Sequence, residues 1–210
     1  MRFGATDKLF ADLAGRPVLA WSLGAYESVG GLGCLVIVTS EVQVAHVTEL
    51  AAEWCGRACY SVVVGGARRR DSVESGLRRC SSRYVAVHDG ARPLTSTAEI
   101  ERVIAAAEGK SGAIAAVPVT DTIKEVAGGT ISGHPERSRL WAAQTPQVVL
   151  RQAWLDAAAM GDNDETDDAA MLSRLGLECL VVEGDPGNIK ITRPVDLEVA
   201  AAILRERGSA

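Results

Sequence analysis

The feature that most constrains this chain is a rhythm in its apolar residues. Four short runs, "CLVIVTS", "CYSVVVGG", "RYVAVHDGARP" and "GAIAAVPV", are apolar at successive positions and too short for helices, so they read as strands buried on both faces. Segments of helical spacing alternate with them. "GRPVLAWSLGAYES" carries Pro17 in its first turn, "VQVAHVTELAAEW" and "DSVESGLRRC" follow, and "STAEIERVIAAAEG" is capped near Ser96. A strand apolar on both faces must be covered on both. The expected fold is therefore α/β, a mostly parallel twisted sheet with helices on each side.

Two stretches fall outside this rhythm. Residues 120–140, "TDTIKEVAGGTISGHPERSRL", are polar with β-prone runs around Gly128-Gly129, and predict a hairpin that projects as an arm. "GDNDETDDAAMLSRLG" reads as an acidic loop feeding a helix with Thr166 as its N-cap. The end of the chain predicts a strand, a turn, a short strand over "NIKIT" and a helix begun by Pro194. With no repeat, low-complexity tract or linker, residues 1–210 are expected to form a single domain.

Composition narrows the functional classes. The formal charge of −5 gives no basis for nucleic-acid or anionic-membrane binding, and no apolar run approaches the roughly 18–20 residues that span a bilayer. Five cysteines, an odd number without a CxxC pair, argue against a disulfide or zinc framework and for a cytoplasmic protein. No Ser/His/Asp or Cys/His set suggests covalent catalysis. His46 falls in a helix and His134 in the arm, while His88 reads as support for the turn that follows it.

In open parallel sheets, ligands bind at the carboxyl ends of the strands. Those positions here carry "GGARRRDS", "HDGARP", "VTDT" and "GNIKITRP", each rich in groups suited to phosphate or metal. Asp89 at a strand end suits Mg²⁺, which takes one or two carboxylates plus phosphate oxygens, and Arg92 can offer a two-pronged donor to a phosphate. Asp89-Gly90 is equally an ordinary turn, and the arginine-rich loop equally a solvated helix start. Lys190 lies between two β-branched residues with its side chain on the opposite face, the pattern of an edge lysine as much as of a site lysine.

Taken together, "DKLFADLAGRPVLAWSL", "GGARRRDSV", "VHDGARP", "PVTDTIKEV", "LWAAQTPQVV", "TDDAAML" and "VEGDPGNIKITRPVDL" resemble the 2-C-methyl-D-erythritol 4-phosphate cytidylyltransferase family over essentially the whole chain. The resemblance implies a Rossmann-like nucleotidyltransferase that joins CTP to methylerythritol phosphate with Mg²⁺. It implies catalytic roles for Arg2, Lys8 and Lys190. CTP contacts would come from Gly65, Gly66, Ser72 and Asp89, with Asp89 also the metal ligand. Contacts to the sugar phosphate would come from Arg92, Thr122, Arg137 and Thr166. The arm would clasp a second copy in a homodimer, placing Thr122 and Arg137 at the partner's site. The family opens with a strand and a glycine-rich loop, of which "RFGATDK" matches only the last part. A start set too far downstream is the expected explanation. A polyol-phosphate cytidylyltransferase such as one making CDP-ribitol, and a catalytically impaired scaffold, are the alternative readings.

Overall fold

The computed structural model describes residues 7–56, 59–161 and 165–208. Its elements in chain order open with a small antiparallel hairpin, β1 (Asp12–Leu13) and β2 (Arg16–Pro17), turned by Ala14 and Gly15 at positive φ. There follow α1 (Val18–Glu27), β3 (Leu35–Thr39), α2 (Val44–Trp54), β4 (Tyr60–Val64), α3 (Arg69–Arg79), β5 (Tyr84–Val87), α4 (Thr97–Ala107) and β6 (Gly112–Pro118). The second half holds β7 (Glu125–Ala127), β8 (Thr130–Gly133), β9 (Trp141–Leu150), α5 (Arg151–Ala159), α6 (Asp168–Ser173), β10 (Leu180–Glu183) and α7 (Pro194–Glu206). The α/β class and the strand–helix alternation are those the apolar rhythm predicts.

The strands order as β10-β6-β9-β5 in one sheet, with β3-β4 a separate parallel pair. β6 lies at the centre, with Gly112 to Ala116 all buried; its small side chains let α4 pack close. β10 runs parallel to β6, whereas β9 runs antiparallel to both β6 and β5, so the sheet is mixed. β9 is absent from the sequence rhythm because Gln144, Pro146 and Gln147 interrupt its apolar run. It accommodates Pro146 where the register against β6 shifts between Ile114 and Ala116. Proline, which cannot donate to a ladder, is tolerated at such irregularities.

No strand among the described residues lies between β3 and β5, which bound a cavity of about 360 Å³ lined by Val36, Val38, Val85 and Val87 from the two strands. The strands run in the same direction. At their amino ends, a Cβ built on Gly33 would stand 3.8 Å from Ser82 Oγ, and their carboxyl ends lead to Thr39 and Asp89. Helix α1 spans the two pieces. Leu19 and Leu23 pack with Ile37 of β3, while Ser22 Oγ donates its one proton to Gly90 O (3.1 Å) or Arg92 O (3.3 Å) just after β5.

Two other expectations need correction. Residues 188–192 form no strand: Ile191 N donates instead to Ala91 O (2.8 Å), and Ile191 is buried against Leu13, Leu94 and α7. Helix α6 is capped by Asp167 rather than Thr166. Asp167 Oδ1 accepts from Ala170 N (2.9 Å), and Gln147 Oε1, reaching from β9, accepts from Asp168 N (2.9 Å). That partner from β9 fixes where the helix starts. The hairpin β7-β8 turns on Gly128 and Gly129, both at positive φ as its tight turn requires.

Candidate active site

The segment after β5 makes a tight corner, Arg92 N donating to Asp89 O at 2.9 Å. His88 braces it from inside. Its Nδ1 lies 3.0 Å from Thr145 Oγ1 and its Nε2 3.1 Å from Arg92 O. A carbonyl can only accept, so Nε2 carries the proton and Nδ1 accepts from the threonine hydroxyl. Thr145 Oγ1 in turn accepts from Asp89 N (3.0 Å). Burial lowers the His88 imidazole to about 4, which leaves it neutral at pH 7. His88 therefore holds the corner, as its place in the sequence suggests.

Asp89 faces the solvent end of this corner within a ring of cations. Lys190 Nζ lies 2.8 Å from Asp89 Oδ2, and Arg92 Nε lies 3.7 Å from the same oxygen. Burial pushes the Asp89 carboxyl up, but Lys190, with Arg69 and Arg92 behind it, outweighs burial and holds it below the usual carboxylate range. Asp89 is thus an anion at neutral pH. Its Oδ1 accepts no hydrogen bond from the described residues. One free carboxylate oxygen at a strand end fits Mg²⁺, which draws its remaining ligands from phosphate oxygens and water. Among the described residues no group of three or more His, Cys, Asp and Glu could hold a metal without such help. Asp89 is then the residue that would hold it.

Lys190 reaches Asp89 because the loop before it is tied down by a buried polar network. Glu99, on α4 and 1% exposed, accepts from Asp185 N (3.2 Å) through Oε1, and from Thr95 Oγ1 (3.1 Å) and Asn188 Nδ2 (3.3 Å) through Oε2. Asn188 Nδ2 also donates to Thr145 O (3.0 Å), Gln144 Nε2 donates to Asp185 O (2.9 Å), and Arg92 Nη1 donates to Asn188 O (2.7 Å). The network joins α4, β9, the Asp89 corner and the Lys190 loop. Sequence reading missed Glu99, whose spacing from Ser96 reads as that of a helix-capping residue.

A second wall comes from the loop after β4. Ser72, in the first turn of α3, accepts from Gly66 N (3.1 Å) and donates to Gly66 O (3.3 Å) or Arg68 O (3.1 Å). The approach is close: a Cβ on Gly65 would fall 2.6 Å from Ser72 Oγ, and one on Gly66 would overlap Asp71 Cβ. Asp71 closes the turn by accepting from Arg68 N (3.3 Å). From the same helix start, Arg69 donates twice to Asp168, at 2.6 and 3.3 Å, and Trp154 Nε1 donates to Asp168 Oδ1 (3.1 Å). Asp168 has no exposed surface; burial pushes its carboxyl up against the pull of Arg69 and Trp154. Arg69 and Asp168 are 99 positions apart, a pairing no local pattern could reveal.

The remaining candidates are distributed as follows. Lys8 sits on a single 3₁₀ turn, Lys8–Phe10, started by Asp7, whose Oδ1 accepts from Leu9 N (3.0 Å) and whose Oδ2 accepts from Gln43 Nε2 (2.9 Å). Leu9 packs near Gly90, so the turn bearing Lys8 lies beside the Asp89 corner. Lys8 forms no ion pair among the described residues. Arg2 lies outside the described residues. Thr122 and Arg137 stand at the root of the arm, where Arg137 Nη1 donates to Thr120 O (2.9 Å), and no hydrogen bond joins them to Asp89 or Lys190. Thr166 is exposed immediately before the cap of α6. The structure thus gathers Asp89, Arg92 and Lys190 in direct contact, sets Lys8 near them, and leaves the arm residues apart.

Comparison with known proteins identifies the family. The family model for 2-C-methyl-D-erythritol 4-phosphate cytidylyltransferase matches residues 1–206. A curated protein of that name from Prochlorococcus marinus (strain MIT 9313) is 44% identical, across 99% of this chain and 95% of its own length. The crystal structure of 2-C-methyl-D-erythritol 4-phosphate cytidylyltransferase from Thermus thermophilus superposes with a TM-score of 0.78 at 30% identity, covering 94% of this chain and 93% of that one. The 4-diphosphocytidyl-2C-methyl-D-erythritol synthase from Anaerococcus prevotii DSM 20548 gives a TM-score of 0.86 at 25% identity over 94% and 93% of the two chains. With a full-length family match and a relative this similar, the chain belongs to the 2-C-methyl-D-erythritol 4-phosphate cytidylyltransferase family.

Proposed function

We propose that this chain joins CTP and 2-C-methyl-D-erythritol 4-phosphate, and that the residues gathered around Asp89 carry the reaction. A phosphate oxygen of the sugar phosphate attacks the α-phosphorus of CTP, the bond from that phosphorus to the bridging oxygen breaks, and pyrophosphate leaves. Two anionic substrates must meet in line, so positioning and charge neutralisation dominate. The observation that carries the reading is the 2.8 Å contact of Lys190 with Asp89, a long-armed cation paired to a carboxylate at a strand end. In the substrate complex Lys190 turns from Asp89 to the phosphates, with Lys8 and Arg2 adding charge at the α-phosphorus. Mg²⁺ on Asp89 would neutralise triphosphate oxygens.

Gly65, Gly66 and Ser72 form the wall for cytosine and ribose, where the bare backbone permits close approach. Arg92 and Thr166 serve the sugar phosphate, joined by Thr122 and Arg137 from the arm of a second copy. A C2 homodimer clasped by the arm fits the exposed Ile123, Val126 and Ile131 of that hairpin. A cytoplasmic location suits five free cysteines.

The test is pyrophosphate release with CTP and Mg²⁺ across a panel of methylerythritol, ribitol and erythritol phosphates. Preference for the methylerythritol substrate is expected. Preference for ribitol phosphate would reassign the substrate. No turnover, with no CTP binding by calorimetry, would sink the enzymatic reading of this chain.

A further inference from the structure

Four of the five cysteines converge at the end of the fold opposite Asp89. Cys34 leads into β3 and Cys59 into β4, while Cys55 follows α2 and Cys80 follows α3. The Cys34 thiol, 3.7 Å from Leu35 O, lies beside Cys59, and the thiols of Cys80 and Cys55 lie near enough to act on it electrostatically. Two of the four differ from the rest. Cys34 and Cys59 are exposed, whereas Cys55 is buried and Cys80 is half-buried with its thiol donating to Gly76 O (3.5 Å).

The strand register puts this exposed pair side by side. β3 and β4 are parallel with Leu35 opposite Tyr60, and Leu35 N donates to Cys59 O (3.1 Å). One step back along both strands brings Cys34 opposite Cys59. Adjacent strands lie about 4.8 Å apart, inside the roughly 4.4–6.8 Å between Cα atoms that a disulfide spans. Equivalent positions on neighbouring strands also direct their Cβ atoms to one face, as bridging requires. The intervening segment of 24 residues, 35–58, contains all of β3 and α2.

We propose that Cys34 and Cys59 form a dithiol site that reacts with small-molecule disulfides and closes to an intramolecular disulfide across the β3–β4 pair. The Cys59 thiolate attacks one sulfur of the small disulfide, breaking its S–S bond, forming a mixed disulfide and expelling one thiolate. Cys34 then gives up its proton and attacks Cys59 Sγ, and the second small-molecule thiolate leaves. One small disulfide is reduced to two thiols, and two protein thiols are oxidised to one disulfide. With Cys59 beside it, the Cys34 thiol is raised to about 11 and retains its proton, so Cys59 is the first nucleophile.

Closing this loop removes freedom from the unfolded chain, so oxidation stabilises the protein. The full chain, incubated with oxidised glutathione and digested without reduction, is expected to yield one cross-linked peptide pair joining Cys34 to Cys59, with the intact mass reduced by two hydrogens. The melting temperature should rise by several degrees and return on adding dithiothreitol. Cys34→Ser should trap a glutathione adduct on Cys59 and lose the rise, whereas Cys80→Ser should cross-link and stabilise as the unaltered chain does. A cross-link through Cys80 or Cys55, a link between chains, or no oxidation under these conditions would overturn the proposal.

Discussion

Glu99 is buried on α4 far from the solvent face, yet its two carboxylate oxygens hold the loop that delivers Lys190. Replacing it by glutamine preserves volume and removes charge. Three donors converge on the carboxylate at 3.1 to 3.3 Å: Thr95 Oγ1, Asp185 N and Asn188 Nδ2. A glutamine amide has one accepting oxygen. If that oxygen keeps Thr95 and Asn188, its NH₂ group faces Asp185 N, and one charge-assisted bond becomes a donor–donor clash. Such a bond contributes about 1.5–3 kcal/mol, and the two retained bonds weaken to neutral strength, about 1 kcal/mol less between them. The expected loss is about 3 kcal/mol, or a melting temperature lower by roughly 6–12 °C in a domain of this size. Turnover should fall more than CTP affinity, because Lys190 loses its fixed approach while the Gly65–Gly66 loop is untouched. Urea unfolding and pyrophosphate release on the same preparation measure both. A stability change under about 0.5 kcal/mol, a size ordinary for surface substitutions, would refute the carboxylate's role in the network, and unchanged turnover in a destabilised variant would refute its link to Lys190.

Other expectations follow from the same geometry. Lys190→Ala removes a side chain 41% exposed, so stability should change by under about 1 kcal/mol while turnover falls about a hundredfold or more; near-normal turnover would rule out its charge as catalytic. Asp89→Asn should raise the Mg²⁺ concentration needed for half-maximal rate, and an unchanged metal titration would remove Asp89 as the ligand. Gly66→Ala forces a Cβ into Asp71, so the loop must open from α3; weaker CTP binding by calorimetry is expected, and unchanged binding would show that the loop does not hold the nucleoside. His88, lowered to about 4 from an ordinary 6.5, stays neutral when folded while the unfolded chain takes up a proton first. Stability should therefore decline as pH falls from about 6.5 towards 4. His88→Gln should flatten that decline in urea titrations at pH 7 and 5; an identical slope would contradict it.

Much of the fold was legible because apolar strands leave a plain mark, although only β6 is buried along most of its length and β3, β4 and β5 are largely half-buried. β3, β4, β5 and β6 are continuous apolar runs, and Pro194 opens α7. What stayed hidden depends on partners distant in sequence. β9 carries Gln144, Thr145 and Gln147 into the interior, where their bonds to other elements satisfy them, and this polar content disguised the strand. Thr166 and Asp167 are both good caps, and Gln147 decides between them. The Asp89 corner showed in the sequence as a carboxylate and an arginine on a turn, but the Arg69–Asp168 pair and the Glu99 network did not. Each joins residues more than 80 positions apart.

Helix α1 has a further consequence for the site. The glycine loop on β4 and the Asp89 corner on β5 stand on opposite banks of the cavity between β3 and β5, with no ladder of backbone bonds across it among the described residues. One helix reaches both banks, with Leu19 and Leu23 packed against β3 and the Ser22 hydroxyl bonded to the segment after β5. A substitution inside α1 therefore acts on β3 and on the Asp89 corner together, although no residue of that helix is itself a site candidate.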